Sequence, residues 1–171
     1  MVALTLDENG IPARAEERLS IARRILACAE EYGISKEDLL FDPLALTVST
    51  DPTAARETLR AVELIRLELG CHTSLGVSNV SFGLPARDLI NGTFFAMALE
   101  RGLSAAILNP YSEEMQKTYA AFCALSGLDA NCASYIEFAS SRQASTAVAA
   151  ARAPAAGPDL AEEGESSLRR A

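Results

Sequence analysis

Short apolar runs alternate with longer amphipathic segments along most of the chain. Four of these runs predict β-strands, because they are rich in aliphatic residues and bounded by polar or turn-forming residues: Val2 to Leu6, Leu39 to Phe41, Thr73 to Val77, and Ala105 to Leu108. Each run precedes a segment in which apolar residues recur with the helical period. The alternation predicts an α/β fold of parallel β/α repeats, and the continuous apolar character of the runs predicts strands covered on both faces.

Glycines and capping residues bound the predicted helices. A glycine follows each periodic segment, where a left-handed residue commonly ends a helix: Gly33, Gly70, Gly102 and Gly127. The first helix is predicted from about Arg14 to Tyr32. The other three are predicted to begin at residues that favour a helical start: Asp51-Pro52, Pro85 and Ser112.

Polar residues follow the predicted strands directly: Asp7, Asp42, Ser78, Asn79 and Asn109. In a parallel sheet these positions meet at the carboxyl ends of the strands, where α/β proteins bind ligands. The stretch from Leu75 to Pro85 carries the most polar side chains of this kind, because it places an amide and two hydroxyls on a glycine-flanked turn between a strand and a helix. The sequence therefore predicts a ligand site at this edge of the sheet.

The same residues also have simpler interpretations. An aspartate before a proline often forms a turn or caps a helix, and an asparagine in a glycine-flanked loop often tolerates a left-handed backbone. Asp7 belongs to the turn-forming sequence Asp7-Glu8-Asn9-Gly10, and Asn109 is also suited to capping the next helix. Spacing alone leaves a binding role and a turn-forming role open for each of them.

Charge and length narrow the class of partner. The 171 residues carry a formal net charge of -8 and show no basic stripe, which argues against nucleic acid and against an anionic membrane. No run of about 18 apolar residues predicts a membrane span, and the N-terminus lacks the pattern of a signal peptide. We therefore expect a cytoplasmic protein whose partner is a small molecule or another protein.

The cysteines do not predict a metal site. Cys28, Cys71, Cys123 and Cys132 show no CxxC spacing, and Cys71 beside the single histidine, His72, falls short of a zinc ligand set. We expect four reduced, buried thiols and a structural histidine.

The composition changes after Phe138. Residues 139–171 are rich in Ala, Ser, Arg, Pro and Glu and lack a lasting apolar period, which predicts a linker or disordered tail that is helical in part. The folded domain is therefore expected to span residues 1–138.

Several motifs resemble a known family. The sequences Leu40-Phe41-Asp42-Pro43-Leu44 and Gly76-Val77-Ser78-Asn79-Val80-Ser81-Phe82-Gly83-Leu84-Pro85 are similar to the pterin-binding methyltransferases, and more closely to the methyltetrahydrofolate-binding domain of cobalamin-dependent methionine synthases and related corrinoid methyltransferases. Residues 91–98 and 106–110 continue the likeness, which runs from about Val2 to Gly127. The Ser78-Asn79 turn followed by Phe82-Gly83-Leu84-Pro85 is the most specific part.

The resemblance implies a fold. That family's domain is an eight-stranded TIM barrel, and the four repeats here are similar to its second half, strands five to eight. A complete barrel needs about 250 residues, so the chain is expected to form a partial, half barrel.

The resemblance also implies roles for particular residues. Asn79 would assist the catalytic step, because the folate nitrogen that loses its methyl group needs a hydrogen-bonding partner as the bond breaks. Asp42 would accept hydrogen bonds from the pyrimidine edge of the pterin, while Gly76, Ser78 and Ser81 shape the turn or contact the substrate. Methyltetrahydrofolate is then the substrate, and cobalamin is expected on a separate corrinoid-binding module.

Two other interpretations stay open. A half barrel without activity of its own would associate with a second copy or with a chain that supplies the missing strands, because its edge strands are unpaired. A dihydropteroate synthase would share the barrel, but no basic loop follows the last predicted strand, where Asn109-Pro110-Tyr111 stands instead. The sequence is compatible both with an active methyltransferase domain and with a truncated, inactive one.

Overall fold

The computed structural model describes residues 1–152 of the chain, with side chains described for residues 1–142. Four strands alternate with four helices, and a fifth helix follows: β1 (Val2–Leu4), α1 (Ala15–Glu31), β2 (Leu40–Asp42), α2 (Ala54–Leu64), β3 (His72–Gly76), α3 (Arg87–Glu100), β4 (Ala105–Ile107), α4 (Glu113–Leu125) and α5 (Ala133–Arg152). Short 3₁₀ segments occupy Lys36–Asp38, Val77–Ser81 and Ala130–Cys132, and a π-helical turn, Ile65–Leu69, extends α2.

The strands form one parallel sheet in chain order, β1-β2-β3-β4. Leu4 lies opposite Asp42 across the first pair, and Gly76 lies opposite Ile107 across the last. Each strand pairs with the one before it after an intervening helix, as in a β/α barrel. The predicted α/β fold of parallel repeats is confirmed, and it is consistent with part of a TIM barrel.

The helices cover one face of this sheet. Phe41 of β2 packs into one apolar cluster with Leu19 of α1, while Leu75 of β3 packs into another with Val62 and Phe94. Burying a side chain of this size contributes about 1.5–3 kcal/mol. Because side chains alternate along a strand, Leu40, Asp42 and Gly76 lie on the opposite, inner face.

That inner face is open at both edges of the sheet. Val2 is 59% exposed and Ile107 is 66% exposed, and Leu4 is also exposed. Apolar coverage on both faces was therefore wrong for β1 and β4. Among the described residues, the helices pack against the outer face only, so the inner aliphatic side chains of the edge strands meet solvent.

The glycine signals were correct, while two helix starts were displaced. Gly33, Gly70, Gly102 and Gly127 all have positive φ, between 66° and 85°, and follow the helical segments as predicted. Ser112 caps α4, with its Oγ accepting the Met115 N–H at 3.5 Å.

Pro85 and Pro52 precede their helices instead of starting them. Ala86 has a φ of 49°, which interrupts the helical path, so α3 begins at Arg87. Asp51 Oδ1 accepts hydrogen bonds from both the N–H and the hydroxyl of Thr53, forming a turn just before α2.

The strands are shorter or slightly shifted relative to the sequence prediction. β1 ends at Leu4 instead of Leu6, and β4 ends at Ile107 instead of Leu108. β2 begins and ends one residue later than predicted, and β3 begins and ends one residue earlier.

The boundary expected at Phe138 falls inside α5, and residues 153–171 of the expected tail lie outside the described residues.

All four cysteines are free, as expected for reduced thiols. The expected burial was wrong for Cys28 on α1 and for Cys132 in the turn before α5, because both are exposed. In the described part of the chain, no helix is both long and apolar enough to span a membrane.

Candidate functional site

Asp42 is a buried carboxylate at the carboxyl end of β2. It is 9% exposed, and its Oδ1 accepts the N–H of Leu44 at 2.8 Å. Its Oδ2 makes no hydrogen bond with the described residues. Burial raises the pKa of Asp42, and the Leu44 N–H offsets part of this rise. One carboxylate oxygen is therefore held by the backbone, while the other has no donor among the described residues.

Asn79 lies in the 3₁₀ segment that follows β3, and it is exposed. Its backbone carbonyl accepts the N–H of Phe82 at 3.2 Å, which closes the turn. Its side chain packs against Gly76: a methyl group built on Gly76 would lie 3.0 Å from Asn79 Nδ2 and 3.6 Å from its Cγ. The φ of Gly76 is -74°, so steric space, not backbone conformation, is what favours glycine at this position.

The two serines of this turn differ in exposure. Ser78 is exposed, and its carbonyl accepts a 2.7 Å hydrogen bond from Arg87 Nη2. Ser81 is fully buried, and its hydroxyl donates to Asn91 Oδ1 at 2.7 Å and accepts from Arg87 Nε at 2.9 Å. Ser81 thus stabilises the turn from inside, while Ser78 lies on its surface.

The loops that carry Asp42 and Asn79 are hydrogen-bonded to each other. The hydroxyls of Thr47 and Ser49, in the loop after β2, both donate to the carbonyl of Phe82, at 2.8 and 3.0 Å. The N–H of Val48 donates to Val80 O at 3.0 Å. Both polar side chains therefore belong to one connected rim at the carboxyl ends of the strands.

The side chains of the other two predicted polar residues, Asn109 and Asp7, bond to their own loops. Asn109 Oδ1 accepts the Tyr111 N–H at 3.0 Å, and Asp7 Oδ1 accepts the Asn9 N–H at 2.9 Å, so both form turns. Asn109 also lines a cavity of about 250 Å³ together with Ser78, Arg87 and Asn91. His72 begins β3 at the other end of the sheet, with Nδ1 3.4 Å from the Ser104 hydroxyl.

Three residues that support the rim were missed by the sequence analysis. Arg87 and Asn91 hold the turn at Ser81, and Arg18 of α1 contacts the loop after Asp42. A signal for Arg18 was present in the sequence. It lies between Ala15, Leu19 and Ala22 on the apolar stripe of α1, and a charged residue in such a stripe indicates a buried polar contact.

A parallel sheet whose strands end at a connected polar rim is typical of β/α proteins, a class whose ligands bind at the carboxyl ends of the strands. The chain belongs to the family of pterin binding enzymes, whose sequence model matches residues 8–109. This match confirms the resemblance drawn from the motifs around Asp42 and Asn79.

Three named proteins are similar to the chain in sequence. The chain is 31% identical over 136 residues to a methylcorrinoid:tetrahydrofolate methyltransferase of Eubacterium limosum, an alignment that covers 79% of the chain and 50% of the relative. It is 35% identical over 117 residues to the methionine synthases of Mycobacterium tuberculosis and Mycobacterium leprae, covering 64% of the chain and 10% of each relative. The chain thus spans about half of the first relative's length and about a tenth of the other two.

Proposed function

We propose that the chain binds the pterin ring of a tetrahydrofolate and takes part in methyl transfer between that folate and a corrinoid. One observation carries the proposal: in a member of the pterin binding family, a buried carboxylate with a free oxygen and an exposed amide stand on two loops that are bonded to each other. A flat heterocycle with N–H donors at one edge and a reactive nitrogen at another fits these two groups.

Asp42 is proposed as the group that binds the pyrimidine edge of the pterin. Adjacent N–H donors on that edge match the free lone pairs of a carboxylate, and a hydrogen bond to a charged group is worth about 1.5–3 kcal/mol. Because Asp42 is poorly hydrated, it loses little further solvation when a ligand covers it.

Asn79 is proposed as the group that assists the reacting nitrogen. When the bond between the folate nitrogen and its methyl carbon breaks, the electron pair stays on nitrogen, which takes a proton from solvent, while the methyl group passes to the acceptor. An amide both donates and accepts, so Asn79 can hydrogen-bond to this nitrogen before and after the change. The same contact serves the reverse direction, the one implied by the name of the Eubacterium limosum relative.

The corrinoid is proposed to belong to a separate module. It would supply the cobalt atom with which the methyl group is exchanged. The single histidine, the side chain best suited to ligate a corrinoid cobalt, lies at the end of the sheet away from Asp42. This chain's part is to bind the pterin, orient it and hydrogen-bond its nitrogen.

We assign β1 to β4 to strands five to eight of the family's barrel. Residues 1–138 would form the pterin-binding part, and residues 139–171 would lead toward a further module. The helix α5 crosses this proposed boundary.

Binding can be measured directly by isothermal titration with methyltetrahydrofolate. Asn79→Ala is expected to weaken the affinity about tenfold, as for the loss of one hydrogen bond in a partly dry site. Asn131→Gly is the matched control, because it removes an exposed amide at a residue whose φ of 56° suits glycine. Equal affinities for the wild type and Asn79→Ala would contradict the role of Asn79, and no binding by either would contradict the proposed function.

Gly76→Ala tests whether the contact with Gly76 positions the Asn79 side chain. We expect the fold to be retained, because a φ of -74° suits alanine, while the added methyl group displaces the Asn79 side chain. Methyltetrahydrofolate affinity should fall about threefold to tenfold, by the energy of a weakened hydrogen bond. In an Asn79→Ala background the same change should have no further effect, and an equal loss there would contradict this interpretation.

A second candidate function is favoured by the open inner face. We propose that the exposed aliphatic side chains of β1 and β4 pack against four further strand–helix units, and that the 171-residue chain obtains them from a second copy of itself. Val2 and Ile107 mark the two uncovered edges, and uncovered strand edges favour association. This candidate concerns assembly and is compatible with pterin binding at the rim.

A further inference from the structure

Arg18 is a fully buried arginine with no carboxylate beside it. It is 1% exposed and forms no ion pair among the described residues, and its charge is balanced at longer range by Glu57 and Asp51. A buried charge without a direct counter-ion destabilises a fold unless hydrogen bonds satisfy it. The contacts that satisfy this guanidinium therefore point to what the residue does.

Its hydrogen bonds reach two loops of the rim. Nε donates to Pro12 O, in the loop after β1, at 2.8 Å. Nη1 donates to the carbonyls of Pro43 and Leu44, in the loop after β2, at 3.0 and 3.2 Å. The planar guanidinium presents donors in several fixed directions at once, which the single ammonium of a lysine cannot do.

The second of these loops is strained. Leu44 has a φ of 66°, a left-handed conformation that costs a non-glycine residue about 1–2 kcal/mol. In this conformation its N–H bonds Asp42 Oδ1, while its carbonyl accepts from Arg18 and, at 3.3 Å, from the Thr58 hydroxyl. Thr58 Oγ1 also accepts from Arg18 Nη1 at 3.1 Å, so the three residues form one clamp.

We propose that Arg18 is a positioning residue for Asp42, an inference that rests on the proposed pterin-binding function. Arg18 holds Leu44 in its strained conformation, so that the Leu44 N–H orients the Asp42 carboxylate toward the substrate. Arg18 does not touch the substrate. It acts through two carbonyls and one N–H, and its contact with Pro12 couples this orientation to the neighbouring rim loop.

The test compares Arg18→Met with Leu19→Ala in the full chain. Arg18→Met keeps most of the aliphatic stem and removes every donor, whereas Leu19→Ala, at the next position of α1, removes core packing. Hydrogen exchange of the Leu44 amide is followed by NMR, and the dissociation constant for methyltetrahydrofolate is measured on the same samples. Both are repeated in an Asp42→Asn background.

Arg18→Met is expected to speed Leu44 exchange about tenfold more than Leu19→Ala does and to weaken binding about tenfold, while Leu19→Ala leaves the affinity unchanged at a temperature where both variants are folded. In the Asp42→Asn background, Arg18→Met should weaken binding less than about twofold, since residues that act in series do not add. If Arg18→Met does not fold, Thr58→Val loosens the same clamp more mildly and should move both readouts in the same direction.

Two results would overturn the proposal. One is Leu44 exchange and affinity in Arg18→Met, or in Thr58→Val where Arg18→Met does not fold, that match those of Leu19→Ala. The other is an undiminished effect of the substitution in the Asp42→Asn background, which would show that the clamp does not act through Asp42. If the wild type binds no methyltetrahydrofolate while Leu44 exchange still depends on Arg18, the proposed function fails and the clamp stands.

Discussion

Asp42→Asn is expected to weaken methyltetrahydrofolate binding about 100-fold and, in the same protein, to raise the free energy of unfolding at neutral pH. Affinity falls because a neutral amide replaces the charged acceptor and turns a donor toward the ligand's own N–H groups. The free energy of unfolding rises because the fold no longer buries an ionised carboxylate. An increase of about 1 kcal/mol is usual for a stabilising substitution at a functional position. Titration calorimetry and urea unfolding measure the two effects.

The stability gain has a defined pH dependence. Burial raises the pKa of Asp42 in the folded state, so the folded chain binds a proton more readily than the unfolded chain. Wild-type stability therefore contains a contribution that is fully present below the ordinary pKa of 3.8 and is lost as the pH rises through the raised value. The advantage of Asp42→Asn should appear above that raised pKa and disappear in acid.

Asp7→Asn provides the matched control, since it makes the same change in the loop that follows the neighbouring strand β1. Asp7 is less buried, and its Oδ1 forms a turn with the Asn9 N–H. We expect its affinity to match the wild type and its stability not to increase. A loss of binding in Asp7→Asn as large as that in Asp42→Asn would remove the special role of Asp42.

Ile107→Lys is expected to abolish self-association of the 171-residue chain. Ile107 is 66% exposed on the inner face of an edge strand, and a second copy that covered this face would have to bury the introduced ammonium group. Sedimentation velocity of the wild type at about 10–100 µM should show a dimer, and the variant should sediment as a monomer, since an unpaired buried charge costs several kcal/mol.

Leu125→Lys serves as the control for association. Leu125 is 89% exposed at the end of α4, in the helical layer and away from the inner face. Leu125→Lys changes charge and size as Ile107→Lys does, so the comparison separates an effect of the inner face from a general effect on solubility. A wild-type chain that stays monomeric over the whole concentration range would contradict the proposed pairing.

The local features of this fold could be predicted from the sequence. The four glycines mark helix ends because glycine adopts a positive φ without steric cost. The four apolar runs mark strands because β/α repeats place an aliphatic segment before each helix. The helix start predicted at Pro85 was wrong, because it also rested on the preference of a single residue. The preference of proline for the first helical turn was overridden by the left-handed Ala86, which no sequence signal announces.

Features that depend on distant contacts could not be predicted. Arg18 contacts residues 25 and 26 positions away, and the Thr47 and Ser49 hydroxyls reach Phe82 across 35 and 33 positions. Asp42 and Asn79 were recognised through the family motif, because their spacing alone was equally compatible with turns. The unpaired edges of β1 and β4 were expected for a half barrel, but the exposure of their inner faces was not, since an aliphatic run looks the same whether or not a second layer covers it.

The order of the strands in the sheet follows their order along the chain, with each strand beside the one before it. Such an arrangement needs no late insertion between elements that are already paired, so a nascent polypeptide can assemble its units one after another as they leave the ribosome. β4 would join last, on an edge that β3 has already formed. The same strand order lets gene duplication or fusion add strands at either edge of the sheet without changing the pairing of the existing strands.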